Sequence, residues 1–115
     1  MAEPLHRSLL PQVLDDLRAL NDVDPDLVDA ALDAVTALAQ HRKTGKVLGA
    51  RHVSGDLTGT RRLKFDLAGE RPERFRVVYR LLPADDSPDT VEVIAIGPRG
   101  GHTAYRAAVE RLTDG

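Results

Sequence analysis

Basic side chains recur at alternate positions in two nearby segments of the chain. Arg62 and Lys64 alternate with apolar residues in the first segment, and Arg76 and Arg80 do so in the second. Side chains two positions apart on a strand point to the same face of a sheet, so pairing the segments as a hairpin gathers these cations on one face. Like charges side by side on a sheet are unfavourable, and arginine forks bind phosphate oxygens at two points. The pattern therefore predicts a surface that binds a polyanion through its phosphates.

Such a cluster could also act chemically on a phosphodiester. Positioned cations stabilise the negative charge that builds up on phosphorus during transesterification. Neighbouring cations disfavour the protonated form of a lysine, so Lys64 between arginines is a candidate general base. The alternative interpretation is a solvated sheet face with paired charges, or a docking surface for an acidic protein.

Charge is divided unevenly along the chain. Residues 1–40 carry two Lys or Arg side chains against eight Asp or Glu, whereas residues 41–82 carry eleven against four. This asymmetry within a short chain, whose net charge is −2, predicts one basic face.

Composition limits the class of protein. The 115 residues are expected to form a single domain, residues 1–115. The chain has no cysteine, which excludes disulfides and cysteine nucleophiles and suits a cytoplasmic protein. Its histidines show no metal-ligand spacing and no Walker-type loop is present, so we predict neither a metal nor another cofactor. No apolar run is long enough for a bilayer, and the first residues do not resemble a signal peptide, so no membrane association is expected.

Two amphipathic helices are predicted before the basic segments. The first has an apolar stripe from Leu9 to Leu20 with Ser8 as its cap, and the second begins at Asp24 and Pro25 and closes at Gly45. Residues 3–8 fit either a short edge strand or a loose lead-in.

Strands and one more helix follow. The two basic segments and the apolar run Thr90–Gly97 are predicted strands, and about His102 to Leu112 is a predicted helix. We therefore predict an α+β fold: an N-terminal helical hairpin packed on a twisted antiparallel sheet of three to four strands, plus a C-terminal helix. The hairpin should cover the face made by Leu63, Phe65, Val77 and Tyr79 and leave the arginine face open.

These segments also match a known family. The matching runs are Leu57 to Phe65, Arg74 to Tyr79 and Val93 to Arg99, followed by Tyr105 and Arg111. Together they resemble the RelE/ParE toxin superfamily of type II toxin–antitoxin systems, and its RelE branch more than its ParE branch.

The resemblance implies a ribosome-dependent mRNA endoribonuclease, or mRNA interferase, that cleaves mRNA in the A site and so inhibits translation. By that likeness Lys64 would act as base with the support of Arg62, Arg76 would bind the scissile phosphate, and Arg99 would assist the leaving group. Tyr105 would stack on or orient a nucleotide. Further basic side chains expected to contact RNA are Lys46, Arg61, Arg74 and Arg80.

The resemblance also implies partners. They are a cognate antitoxin protein, the ribosome and mRNA. The alternative within the same fold is a non-catalytic module, either a ParE-like gyrase inhibitor or a protein that only binds its antitoxin.

Overall fold

The computed structural model describes residues 3–114 of the chain, with side chains described as far as Thr113. They form one sheet with helices on both faces, an α+β arrangement that confirms the predicted fold class. The elements are β1 (His6–Leu9), α1 (Val13–Val23), α2 (Pro25–Ala39), β2 (Lys46–Val47), β3 (Arg61–Phe65), β4 (Phe75–Leu82), β5 (Thr90–Pro98), a 3₁₀ turn (Gly100–His102) and α3 (Thr103–Asp114).

The sheet has five strands in the described residues, in the order β1-β5-β4-β3-β2. It is therefore larger than the three to four strands predicted, and it is mixed, because β1 runs parallel to β5 while the other neighbours are antiparallel. Antiparallel neighbours can be joined by short connections, whereas parallel neighbours need a long one. Between β1 and β5 the connection consists of α1, α2 and three strands.

The helical hairpin covers one sheet face, as predicted. Leu63, Phe65, Val77 and Tyr79 are all buried in a core shared with residues of α1 and α2. Leu27 at the start of α2 is fully buried in this core. Period-two alternation in β3 and β4 therefore identified the covered face correctly.

The opposite face is not open, which corrects the prediction. Residues of α3 and the loop before β3 cover much of it, and Leu57, Val78, Ile94, Ala104 and Ala108 form a second buried core there. The physical reason is that β5 is apolar at nearly every position, so both of its faces must be covered. A bulge leaves Ile94 without a partner, because Val78 pairs with Ala95 and Tyr79 with Val93, so Ile94 and Ala95 both belong to the second core.

The first helix begins later than predicted. Ser8 and Leu9 belong to β1, not to a helix cap and an apolar stripe, and α1 starts at Val13. The backbone of residues 6–9 pairs with the edge of β5, and Leu10 continues this through its N–H to the carbonyl of Val93 at 3.0 Å. All four side chains of β1 are exposed, so no hydrophobic pattern marked it as a strand. Leu14, placed in the predicted stripe, is 55% exposed.

The second helix ends earlier than predicted. It stops at Ala39, and His41 adopts a left-handed backbone with φ of 61°. The amides of His41 and Arg42 then donate to the carbonyls of Leu38 and Ala37, which is the hydrogen bonding that a glycine usually permits at a helix end. Gly45 has a different role, described below.

Of the helices in residues 3–114, none is both long enough and apolar enough to cross a membrane.

Candidate active site

Strand register brings the predicted basic residues together. Lys46 on β2 lies opposite Arg62 on β3, and Lys64 on β3 lies opposite Arg76 on β4. Arg76 in turn lies opposite Gly97 on β5, two residues before Arg99. Because alternate residues share a face, pairing across four strands places these cations on the sheet face that carries α3.

These side chains line a cavity of about 280 Å³ between the sheet, α3 and the loop before β3. A larger cavity of about 740 Å³ shares Lys64, Arg76 and Arg99 with it. The smaller cavity brings together all five residues predicted to be catalytic with one of the predicted RNA contacts. Its lining residues are Lys46, Leu48, His52, Arg62, Lys64, Arg76, Arg99, His102 and Tyr105.

The smaller cavity concentrates positive charge. None of its lining residues is an Asp or Glu. Among the described residues, moreover, no carboxylate forms an ion pair with any of its five Lys and Arg side chains. Cations held close together without carboxylates repel one another, and an anion in the cavity would remove that cost. The cavity therefore has the electrostatics of a phosphate site.

Arg76 is the buried member of the group, with 5% of its surface exposed. Its Nε donates to the hydroxyl of Tyr105 at 3.1 Å, and its Nη1 donates to the carbonyls of Glu73 and Phe75 at 2.9 Å each. These neutral acceptors fix the plane of the guanidinium but leave its charge unpaired. Its Nη2 has no acceptor among the described residues, so this is the nitrogen left to donate to an anion.

Lys64 is exposed at the cavity, directly across from Arg76. The acid two residues after it, Asp66, does not pair with it. The side chain of Asp66 is fully buried, and both its oxygens accept from the guanidinium of Arg74 at 2.8 Å. These hydrogen bonds are the main reason that the pKa of Asp66 is lowered to about 2. Lys64 is thus left free to face a ligand.

Tyr105, predicted to stack on or orient a nucleotide, is largely buried. It is 6% exposed and belongs to the second core. The ring of His52 lies against it with centroids 4.6 Å apart and planes tilted by 46°. In this structure its hydroxyl orients Arg76, and the aromatic ring above it is that of His52.

The other basic residues predicted to contact RNA lie outside the smaller cavity, and Arg74 lines the larger one. Three of them form ion pairs: Arg61 with Asp85 at 3.2 Å, Arg74 with Asp66 at 2.8 Å and Arg80 with Glu92 at 2.6 Å. Their charge is already partly neutralised, whereas that of Lys46 in the cavity is not. Strand alternation alone could not separate these two groups, since it does not show where carboxylates on other strands lie.

Two cavity residues were missed by sequence reasoning, His52 and His102. The burial of His52 lowers its pKa, and the charge of His102 lowers it further. Their spacing suggested no metal site, and within residues 3–114 no group of three or more His, Cys, Asp or Glu side chains could hold a metal ion. The one available signal was the position of His102 three residues after Arg99. His52 lies in a glycine-rich loop without periodicity, so no sequence pattern marked it as a residue of the site.

The fold and the cavity define a small α+β protein with a cationic site at the end of its longest strand. A family model described as the ParE toxin of type II toxin–antitoxin system, parDE, matches residues 8–102. The chain therefore belongs to the RelE/ParE toxin superfamily, and it is a toxin of a type II toxin–antitoxin system.

Solved structures show the same fold. One is a mutant of the E. coli toxin RelE in the free state, with a TM-score of 0.64, 17% identity and coverage of 95% of this chain and 98% of that one. Another is the toxin–antitoxin complex RelBE2 from Mycobacterium tuberculosis, with a TM-score of 0.59, 23% identity and coverage of 86% and 95%. No curated protein matches the chain at a significant level.

Proposed function

We propose that this toxin is a ribosome-dependent endoribonuclease that cleaves mRNA in the A site. The observation that carries the proposal is the cavity: five cations, one of them the buried Arg76, converge there without a carboxylate among the lining residues. A surface that served only to bind a protein would not require a buried, unpaired guanidinium, because burying a charge is costly unless a partner offsets it.

In this reaction the 2′-hydroxyl of the mRNA attacks the adjacent phosphate. Arg76 binds the scissile phosphate through Nη2, because its Nε and Nη1 donate to neutral groups of the protein. Lys64, opposite it on β3, accepts the proton of the 2′-hydroxyl, and Arg62 on the same strand face adds positive charge beside the attacked phosphate. Arg99 stabilises the negative charge on the leaving oxygen. Tyr105 acts through its hydrogen bond to Arg76 and holds the guanidinium plane.

The remaining basic residues form the approach to the cavity. Arg74 and Arg80 stay about half exposed despite their carboxylate partners, and phosphates of flanking nucleotides can compete for them. A ribosomal target places the protein in the cytoplasm. Its cognate antitoxin would be a protein that covers the cationic cavity and so keeps mRNA out.

Cleavage on purified ribosomes tests the proposal. A defined mRNA is translated with the toxin, and primer extension locates the cuts. We expect cuts at the A-site codon only when ribosomes are present. Lys64→Ala and Arg76→Ala should each slow cleavage about a hundredfold or more, since general bases and oxyanion-stabilising groups contribute on that scale.

Controls come from exposed basic residues outside the cavity. Lys43→Ala and Arg18→Ala remove the same charges and should cleave at the wild-type rate. Arg76→Lys keeps a positive charge but loses the fork, and we expect it to remain slow. Cleavage that persists in Lys64→Ala and Arg76→Ala, with folding verified by circular dichroism, would refute these assignments.

Gyrase inhibition is the second candidate, because the matching family model describes ParE toxins. A supercoiling assay with purified gyrase separates the two. The proposed nuclease should leave supercoiling unaffected at concentrations that stop translation. Inhibition of gyrase with normal translation would favour the second candidate.

A further inference from the structure

The smaller cavity has a second kind of surface beside its five Lys and Arg side chains. Its other lining residues are one aliphatic side chain and three rings, Leu48, His52, His102 and Tyr105. Phosphates of a nucleic acid bind cations, whereas its bases stack on the faces of rings. The cavity therefore offers surfaces for both halves of a nucleotide, and the reaction described above uses only the cationic one.

The ring that a base can reach is that of His52. Tyr105 is 6% exposed, and its hydroxyl accepts from Nε of Arg76 at 3.1 Å. The ring of His52 covers Tyr105 at a centroid distance of 4.6 Å and is itself partly exposed where it lines the cavity. The base contact predicted for Tyr105 is thus available to the ring that lies over it.

His52 presents a neutral ring. Its Nδ1 accepts from the backbone N–H of Ser54 at 3.1 Å. An amide can only donate, so Nδ1 holds no proton and the ring carries its proton on Nε2. Burial, which lowers the pKa of His52, favours the same neutral form. An uncharged ring among cations does not compete with them for phosphate, and its face suits a base.

The loop that carries His52 is fixed at several points. The N–H of Gly55 donates to the carbonyl of His52 at 2.9 Å, and that of Leu57 donates to the carbonyl of Gly49 at 3.1 Å. Gly55 has φ of 131°, and a Cβ there would lie 3.0 Å from Val109 of α3. Leu57 is fully buried in the second core. These contacts hold the His52 ring in place before any ligand enters, which lowers the entropic cost of binding.

We propose that His52 is the base-binding residue of this toxin, and that its ring stacks on the base of the nucleotide that leaves when the phosphodiester bond breaks. The inference rests on the proposed ribonuclease function. The His52 ring lies 5.9 Å from that of His102, whose backbone N–H donates to the carbonyl of Arg99 at 2.9 Å. It is therefore on the side of the residue that stabilises the leaving oxygen. Tyr105 joins the two subsites, because its hydroxyl holds Arg76 and its ring supports His52.

mRNA that lacks one base tests the assignment. Purified toxin and programmed ribosomes are given ordinary mRNA or mRNA with an abasic residue on the 3′ side of the scissile phosphate. An mRNA that is abasic on the 5′ side is the substrate control.

Three variants separate the ring from the turn that holds it. His52→Asn is the main variant, because its side-chain oxygen can accept from the N–H of Ser54 two residues on and keeps that turn without the ring. His52→Phe keeps an aromatic ring at the same position. His6→Ala, on exposed β1, is the matched control.

We expect His52→Asn to lower kcat/KM on ordinary mRNA about tenfold or more, the scale of stacking between a base and an aromatic side chain. Removal of the 3′ base should slow wild type by a similar factor but His52→Asn by less than about threefold, because the variant has no ring contact to lose. His52→Phe should stay within about threefold of wild type on ordinary mRNA, since it retains the stacking surface. His6→Ala should match wild type on every substrate.

The role of His52 fails alone if wild type cleaves ordinary mRNA but the coupling to the 3′ base is missing. The overturning results are equal slowing of His52→Asn on ordinary and 3′-abasic mRNA, a loss below about threefold on ordinary mRNA, or coupling to the 5′ base instead. His52→Phe as slow as His52→Asn would overturn stacking as the contact. No cleavage of ordinary mRNA by wild type would overturn the proposed function and this inference with it.

Discussion

At the scale of single residues, Gly45 matters because it lacks a side chain. A Cβ there would lie 2.5 Å from both the carbonyl oxygen of Arg62 and the hydroxyl of Tyr79. Its N–H donates to that hydroxyl at 2.7 Å, and its carbonyl accepts from Arg61 at 3.1 Å. Gly45 thus fixes the start of β2 against the buried Tyr79. Burial raises the pKa of the Tyr79 hydroxyl.

Gly45→Ala should therefore destabilise the protein by about 2–3 kcal/mol, since the contacted atoms are backbone and a buried ring that cannot move aside cheaply. Urea unfolding measures the change. Gly49→Ala is the control, because a Cβ at Gly49 meets no atom within 4 Å, and it should change stability little. Equal stability of the two variants would show that β2 shifts freely to make room.

At the scale of elements, Asp66 and Arg74 close the connector between β3 and β4. Besides its two bonds to the Arg74 guanidinium, Asp66 accepts from the backbone N–H groups of Leu67 and Arg74 at 2.7 and 2.9 Å. The carboxylate form is required for all four bonds. The closure keeps Lys64 and Arg76 in register at the cavity.

This closure predicts a pH dependence. The pKa of Asp66 is about 2 in the folded protein, below its ordinary value. A lowered pKa means that the stabilisation is complete above about pH 4 and is lost as pH falls toward 2. Asp66→Asn should cost about 1–2 kcal/mol at pH 7, allowing for solvent screening of half-exposed Arg74, and should reduce the slope of stability between pH 4 and 2. Asp29→Asn, an exposed carboxylate on α2, should leave that slope unchanged.

The elements also show what sequence could and could not predict. Alternation in β3 and β4 gave the covered face, and it placed Lys64 opposite Arg76, because a buried face fixes register. Sequence alone left residues 3–8 open between an edge strand and a loose lead-in, since the four exposed side chains of β1 carry no pattern and its pairing with β5 is made by backbone atoms. Alternation gathered Arg62, Lys64 and Arg76 on one face, but it did not show that α3 and a non-periodic loop fold over that face, bury Tyr105 and bring in the histidines.

At the scale of the whole molecule, Asp16 and Arg111 join α1 to α3 across the edge of β5. Strand β1 stops pairing at Val93, and Asp16 then accepts from the N–H of Ile96 at 2.9 Å, while Arg111 donates to the carbonyl of Ile94 at 2.9 Å. The two side chains pair with each other at 2.6 and 2.8 Å. They satisfy backbone groups of β5 beyond the part that β1 pairs with, and the pairing raises the pKa of Arg111.

Loss of either partner leaves a largely buried charge and an unsatisfied strand edge. Asp16→Asn should therefore lower the free energy of unfolding by about 2–4 kcal/mol. The double variant Asp16→Asn with Arg111→Gln should cost less than the sum of the single variants. Asp15→Asn is the control, because its ion pair with Arg18 is about three-quarters exposed and should contribute less than about 0.5 kcal/mol. Additive costs for Asp16 and Arg111 would show that they act independently.

The position of β5 also governs the order in which the molecule can form during its synthesis. β5 lies between β1 and β4, and α1, α2 and α3 all contact it, yet it comes near the end of the chain. A nascent chain that has emerged only as far as Leu82 holds two helices and a hairpin without the strand that joins them, and it lacks Arg99, His102 and Tyr105. Contacts this distant in sequence form late. The cationic cavity therefore closes only after β5 and α3 have been made, so a product terminated before them has no complete site.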